Sequence, residues 1–415
     1  MLHGTPRNLA ILAGAMAGLW FAGAANAAGQ KEILIGAQCD RTGPTQITGV
    51  IFCPAVQDYV NLVNSQGGVD GYKIRIDELD NGYQVPQAIE EYERQKQEGM
   101  VSTLIWGTPQ AEALNPRLEA DHIPGTSPGF GAAAAANGAK YPYLFPIAAT
   151  YWSQAGAAIQ FIKDKLGGSL KGKKIAYLYY DNPAGLVPMP ILRQLQQIEG
   201  FQLRTFAVPA PGVEMGAQIL DITQRYRADF VVMHVFGRAP AVALKTLKQS
   251  GYPMSHVIGF VWASSEADIK AAGGFQMVQG YNTMQFAGVG DNYPVDQQII
   301  AMYKKAGKPP PPEMQSSVYY NRGILDAALH IEAVRNALTL TGGKPPTGED
   351  VKKGFEMIHG FTLGGLLPPL DITPSDHEGG GWVQIFQVKG NGMVPETKWF
   401  RGYRDIILKT VNASS

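Results

Sequence analysis

The sequence predicts an α/β chain built as two lobes, each a doubly wound parallel sheet. Three observations carry this. At 415 residues the chain is too long for one compact domain. Strand, loop and helix patterns alternate at roughly 30-residue intervals, the rhythm of parallel strands joined by helical crossovers. From Lys174 the same pattern begins again.

In the first series Ile33–Ala37 reads as a short buried strand, followed by the turn-rich Asp40–Pro44. A helix is expected to begin near Pro54, because proline suits a first helical turn, and to stop at Gln66-Gly67-Gly68. Tyr72–Leu79 alternates as a strand, Pro86 opens a charged helix ending at Gly99, Val101–Ile105 is a strand, and Pro109 starts the next helix. The alanine run 132–136 reads as a helical turn. In the second series the strands are Lys174–Tyr180, Phe201–Ala207, Phe230–Val235 and His256–Phe260, separated by helices over Val187–Glu199, Met215–Tyr226 and Ala239–Ser250. A last region carries helices near Pro294–Lys305, Ser316–Ala337 and Glu349–Ile358, then a hairpin-like Val383–Val388. Pro309–Pro312 reads as an extended surface connection.

Composition narrows the function. Lys+Arg and Asp+Glu are both 35, and no basic stripe occurs, so the electrostatic footprint of a nucleic-acid binder is missing. Arg7, the apolar run Leu9–Ala22 and the small-x-small Ala25-Asn26-Ala27 have the form of a signal peptide over residues 1–27, cleaved after Ala27. Glycine and alanine dilute that run, which is short for a membrane span. No second long apolar run follows, so an exported, soluble mature chain is expected. Its two cysteines, Cys39 and Cys53, are a disulfide candidate in an oxidising compartment, with two free buried thiols as the alternative.

Enzyme motifs fail on inspection. Gly125-Thr126-Ser127-Pro128-Gly129 matches G-x-S-x-G, but the residue after the serine must donate its backbone N–H to the oxyanion, and Pro128 has none. Gly129-x-Gly131-x-x-Ala134 lacks a convincing preceding strand for a dinucleotide loop. Asp376-His377-Glu378 reads as a solvated turn, since consecutive side chains do not converge on one ion. Binding outranks catalysis, and no metal or cofactor is expected.

A ligand in such a fold sits beyond the carboxyl ends of the strands. The loops there carry Arg41, Trp106, Thr108, Ser127, Gly129, Phe130, Tyr180, Phe236, Arg238, Trp262 and, just after the first lobe, Tyr151 and Trp152. Recurring rings at strand ends point to a ring-lined pocket. Thr108, just before a helix begun by Pro109, is either an ordinary cap or, with the free N–H groups of that turn, a carboxylate site. Arg41 and Arg238 are candidate anion partners, with solvated surface arginines as the alternative.

Ile33–Pro44, the run Asn64–Ile74 (NSQGGVDGYKI) with Asp80 after it, and Leu367–Val388 resemble the leucine/isoleucine/valine-type solute-binding proteins of ABC importers. The resemblance implies a type I periplasmic binding protein fold with a three-segment hinge. It places a first lobe at 28–148 plus 284–366 and a second at 149–283 plus 367–415. It also implies a periplasmic monomer that traps a small molecule between its lobes and delivers it to an ABC permease driven by ATPase subunits. On the family pattern Thr108 and Ser127 match hydroxyl residues that hold a ligand carboxylate, and Phe236 an aromatic wall. The acid with which amino-acid binders hold the ammonium has no counterpart in Gly259-Phe260-Val261-Trp262, and Ala184 stands where a tyrosine is usual. The expectation is therefore a small carboxylate with an aromatic or apolar body. A branched-chain amino acid, with Asp181 or Glu266 taking the acid's role, and a ligand-sensing subunit are the other readings.

Overall fold

A computed structural model describes residue 1 and residues 31–414 of the chain. The signal peptide read over 1–27 lies, Met1 apart, outside the described residues. No helix among them is long and apolar enough to cross a membrane.

The strands gather into two sheets, and the chain passes between them three times. The first sheet holds β1 (Glu32–Cys39), β2 (Lys73–Asp80), β3 (Ser102–Leu104), β4 (Gly125–Thr126) and β5 (Leu144–Phe145) in the order β2-β1-β3-β4-β5, all parallel. Helices α1 (Gln46–Ser65), α2 (Val85–Gln97) and α3 (Thr108–Asp121) connect them. The chain then crosses over and forms α4 (Tyr151–Lys165), β6 (Lys174–Tyr180), α5 (Pro183–Leu186), α6 (Met189–Glu199), β7 (Gln202–Val208), α7 (Gly216–Leu220), β8 (Phe230–His234), α8 (Ala239–Gln249), β9 (Val257–Gly259), α9 (Glu266–Ala271) and β10 (Asn282–Gln285). It returns to lay α10 (Pro294–Lys305), α11 (Ser317–Thr341) and α12 (Gly348–Phe355) on the first lobe, where α10 and α11 pack on α1 and α12 packs on α11. A last crossing brings β11 (Gln384–Lys389), β12 (Gly392–Pro395) and α13 (Arg404–Ala413) to the second sheet, ordered β12-β11-β10-β9-β8-β6-β7. There β10, β11 and β12 pair antiparallel, and the remaining neighbours pair parallel. β10 runs through the boundary drawn at 283/284, so the chain leaves this sheet after Gln285.

The local causes are legible. β1 is buried at every position after Glu32, as a central parallel strand covered on both faces must be. Pro86 and Pro294 sit in the first turns of α2 and α10, where a missing N–H costs nothing. Pro54 does not start a helix. α1 begins at Gln46, and Pro54 lies inside it. The start is set instead by buried Asp40, whose carboxylate accepts from the Gly43 amide (2.5 Å), the Thr45 amide (2.7 Å) and the Thr45 hydroxyl (2.5 Å). α1 and α11 touch closely at Gly323, where a Cβ would stand 2.2 Å from the Phe52 carbonyl oxygen. Cys39 at the end of β1 and Cys53 in α1 are joined in a disulfide, tying strand to helix beside the cleft.

The Asp376–Glu378 segment is not a solvated turn. His377 and Glu378 are buried in the third crossing. The Glu378 carboxylate accepts from the Thr150 amide (2.7 Å) and the Ser153 hydroxyl (2.5 Å) at the start of α4, and Arg404 bridges it to Asp376. The carboxylates turn toward one guanidinium while His377 stacks on Phe145, so the three side chains divide between two sites.

Candidate functional site

The loops at the carboxyl ends of β1, β2, β3, β4, β8 and β9 face one another across a cleft whose space, open solvent at its mouth included, is about 410 Å³. Its walls are Thr45, Thr48, Tyr83, Trp106, Gly107, Thr108 and Phe130 from the first lobe, and Tyr151, Phe236 and Trp262 from the second. Six of these ten are aromatic, and none carries a formal charge.

Three helices begin at this space. Thr45 precedes α1 and Thr48 lies in its first turn, Gly107 and Thr108 start α3, and Tyr151 starts α4. The start of α1 is already met by the Asp40 carboxylate and that of α4 by Glu378 and the Thr150 hydroxyl, so α3, begun at Gly107, is the helix whose first turn and positive dipole end stand at this space. Thr108 is not an ordinary cap: its hydroxyl oxygen accepts from the Gly131 amide at 3.0 Å, which leaves its proton to donate. The Tyr151 phenol lies in hydrogen-bond reach of Thr108, while burial raises its pKa above the ordinary tyrosine value. Trp106 donates its indole N–H to the Thr45 hydroxyl at 2.9 Å, which in turn donates to Asp40. That chain locks both walls into one orientation.

The rings interlock across the lobes. Phe130 meets Trp262 edge-on at 5.9 Å, Tyr83 lies 5.9 Å from Phe236, and Phe52 lies 6.5 Å from Trp262. Trp262 also donates its N–H across the cleft to the Gly129 carbonyl at 3.0 Å. The Tyr83 hydroxyl reaches the Asn182 side chain of the second lobe, and desolvation holds its pKa well above the ordinary value. Both phenols are therefore neutral donors at neutral pH. At the mouth Gly237 lies against Pro44 so closely that a Cβ would stand 2.2 Å from the Pro44 oxygen. These are the contacts of closed lobes.

Of the residues singled out in the sequence, Trp106, Thr108, Phe130, Tyr151, Phe236 and Trp262 meet at this space, and six others do not line it, among them Tyr180, which stacks on Phe236 at 4.6 Å. Ser127 is fully buried behind the wall, with its hydroxyl unpartnered and Gly131 packed over it, so it also lacks the base a nucleophile needs. Gly129 contributes its carbonyl to Gln154 (2.9 Å) and Trp262, one layer back. Trp152 turns away and donates to the Val187 carbonyl at 2.8 Å. Arg41 is taken by Glu78 in a two-pronged ion pair at 2.5 and 3.1 Å, which raises its pKa further. Arg238 is exposed at the start of α8. Neither acid proposed as an ammonium partner lines the space: Asp181 is exposed, and Glu266 accepts from the Ser317 hydroxyl (2.5 Å) and the Val318 amide (3.1 Å). The reading missed Thr45, Thr48, Tyr83 and Gly107. Thr45 and Thr48 escaped because the helix was started too late. Tyr83 sits at a left-handed φ of 62° after β2, a loop that carried no motif.

Two lobes closed on a ring-walled, helix-headed cleft define a small-molecule-binding protein. The chain belongs to the periplasmic binding protein family, whose model matches residues 32–393. Its fold is the type I form of that family. A solved structure from the Pseudomonas fluorescens group, described as an ABC transporter permease, is 31% identical, with 92% of this chain and 96% of that one covered and a TM-score of 0.83. A branched-chain amino acid ABC transporter from Thermus thermophilus with bound valine is 22% identical, covering 93% and 100%, with a TM-score of 0.80. A fatty acid ABC transporter substrate-binding protein from Thermomonospora curvata is 20% identical, covering 91% and 94%, with a TM-score of 0.76. No curated protein matches the chain.

Proposed function

We propose that this chain is the exported, periplasmic binding component of an ABC-type importer, and that its cargo is a small carboxylate with an aromatic or otherwise apolar body. The observation that carries the ligand class is the wall itself: ten residues, six rings and no charged side chain. An ammonium enclosed there would lose its water with no carboxylate opposite, a cost of several kcal/mol. A carboxylate finds the first turn of α3 and the hydroxyls of Thr108, Tyr151 and Tyr83. A flat apolar body finds Trp106, Phe130, Phe236 and Trp262.

The mechanism is a population shift. The ligand touches Trp106, Thr108 and Phe130 on one lobe and Tyr151, Phe236 and Trp262 on the other, so its full contact set exists only when the lobes close, and the closed form presents the surface the permease reads. The protein works as a monomer, needs no cofactor, and performs no covalent chemistry: the one serine in an esterase-like motif is sealed and unpartnered.

The test is a thermal-shift and calorimetric panel of benzoate, 4-hydroxybenzoate, phenylacetate and cinnamate against valine, leucine and decanoate. Saturating an aromatic acid at about 100 times its Kd should stabilise the fold by about 2.7 kcal/mol. Stabilisation by valine or leucine alone, or by decanoate alone, ends the aromatic-acid assignment.

A further inference from the structure

We infer that Arg322, which does not line the cleft, is the residue that positions Trp262 as a cleft wall and biases the ligand-free protein toward closure. This rests on the cleft being the binding site, but not on which ligand fills it.

Arg322 belongs to α11, a helix of the first lobe, and is fully buried. Among the described residues no carboxylate accepts from it, and its Nε has no partner. The guanidinium is satisfied instead by second-lobe groups and by rings. It donates to the Val261 carbonyl (2.5 Å), the Gln285 side-chain oxygen (2.7 Å) and the Met284 carbonyl (3.4 Å). It lies 4.6 Å from the Phe286 ring centre, 5.0 Å from that of Trp262 and 5.7 Å from that of Tyr319. Asp268 and Glu266 are the acids that face it from α9, and Asp268 is occupied by Tyr319 (2.7 Å) and Ser265 (2.8 Å). Burial lowers its pKa to about 10, which leaves it charged at neutral pH.

A desolvated cation held by carbonyls and ring faces is stable only while all of them surround it. Apart from Tyr319, its neighbour on α11, they come from the loop after β9, the end of β10 and the crossing that follows, while the cation comes from the other lobe. The set is complete only with α11 seated against the strand ends. Trp262 is the shared member: its ring faces Arg322 and Tyr319, its edge meets Phe130, and its N–H reaches Gly129. A planar guanidinium fits this cage, whereas a lysine ammonium is a strongly hydrated point charge that offers no fork. The same features would suit a purely structural core cation, and the experiment separates the two.

Arg322→Lys and Arg322→Met are compared with the unaltered protein by small-angle scattering without ligand, by near-ultraviolet circular dichroism, and by titration with 4-hydroxybenzoate. A positioning role predicts a larger radius of gyration without ligand, a changed tryptophan dichroism, and about tenfold weaker binding for Arg322→Lys. In a Trp262→Ala background the Arg322→Lys effect on scattering and binding should disappear. A lower melting temperature with unchanged scattering and dichroism overturns the proposal, and so does an undiminished effect in the Trp262→Ala background. Should Arg322→Met fail to fold, Arg322→Lys decides alone. Should the unaltered protein not bind 4-hydroxybenzoate, the aromatic-acid reading is damaged, and scattering and dichroism still decide the role of Arg322.

Discussion

Replacing Gly237 by alanine should hold the lobes apart. Gly237 follows β8 on the second lobe at φ 66°, and a Cβ built on it stands 2.2 Å from the Pro44 oxygen and 3.1 Å from its carbon, on the opposite lobe. Ordinary contact begins at 3.4 Å, so the methyl group must gain about 1.2 Å against backbone, which cannot rotate aside as a side chain can. Two costs follow, and only one bears on binding. The left-handed backbone costs an alanine about 1–2 kcal/mol in the open and closed forms alike and lowers overall stability. The overlap exists only in the closed form, and overpacking of this kind costs about 1–3 kcal/mol. That reduces closed-state population, and hence affinity, about 5- to 150-fold. Calorimetric titration with whichever panel acid binds, paired with small-angle scattering with and without it, reads both effects. Unchanged affinity together with the same ligand-induced compaction would refute the placement of Gly237 at the closing edge, and with it the reading of these contacts as those of closed lobes.

Other outcomes are equally definite. Replacing Cys39 and Cys53 together by serine opens a loop of 14 residues' separation and should cost about 3 kcal/mol in the chain-entropy model, read by denaturant unfolding; a loss under about 1 kcal/mol would show that the crosslink constrains little. Buried Asp326, which accepts from the Thr126 hydroxyl (2.8 Å) beside neutral His330, has its pKa raised by desolvation to about 7. Its protonated form is favoured by folding, so its contribution to stability is present below about pH 4 and is lost as pH rises to about 7. Asp326→Asn should therefore gain on the unaltered protein across that window, by at most about 1.4 kcal/mol per pH unit, and a difference that does not vary with pH would refute the shift.

Much of the scaffold was legible in the residues. The runs read as strands at Ile33–Ala37, Lys174–Tyr180 and Phe230–Val235 became buried parallel strands, and Pro86, Pro109 and Pro294 became first-turn residues of helices. β4, β5 and β10 were not seen. The first two are each two residues long, too short for any period, and β10 reads Asn-Thr-Met-Gln, which is polar. β10 is buried only because its polar side chains find distant partners. Asn282 donates to the Ser255 and Val257 carbonyls, and Gln285 donates to Ser264 while accepting from Arg322.

The sequence by itself determined that rings stand where strands end, that hydroxyls stand at helix starts, and that the Gly259–Trp262 loop holds no acid, because each of these depends on residue identity and local order. Which of them share one space was decided by the tertiary structure. Ser127 and Trp152 have the right chemistry close along the chain to wall residues, yet each turns into a core layer, Ser127 from the loop after β4 and Trp152 because consecutive residues of α4 face different sides of the helix. Tyr83, Thr45 and Thr48 lie far along the chain from Phe236 and Trp262 and join them only because the carboxyl ends of the strands in the two sheets face one another. Local chemistry can be read along the chain, but the enclosure that makes it a site arises from packing between segments hundreds of residues apart.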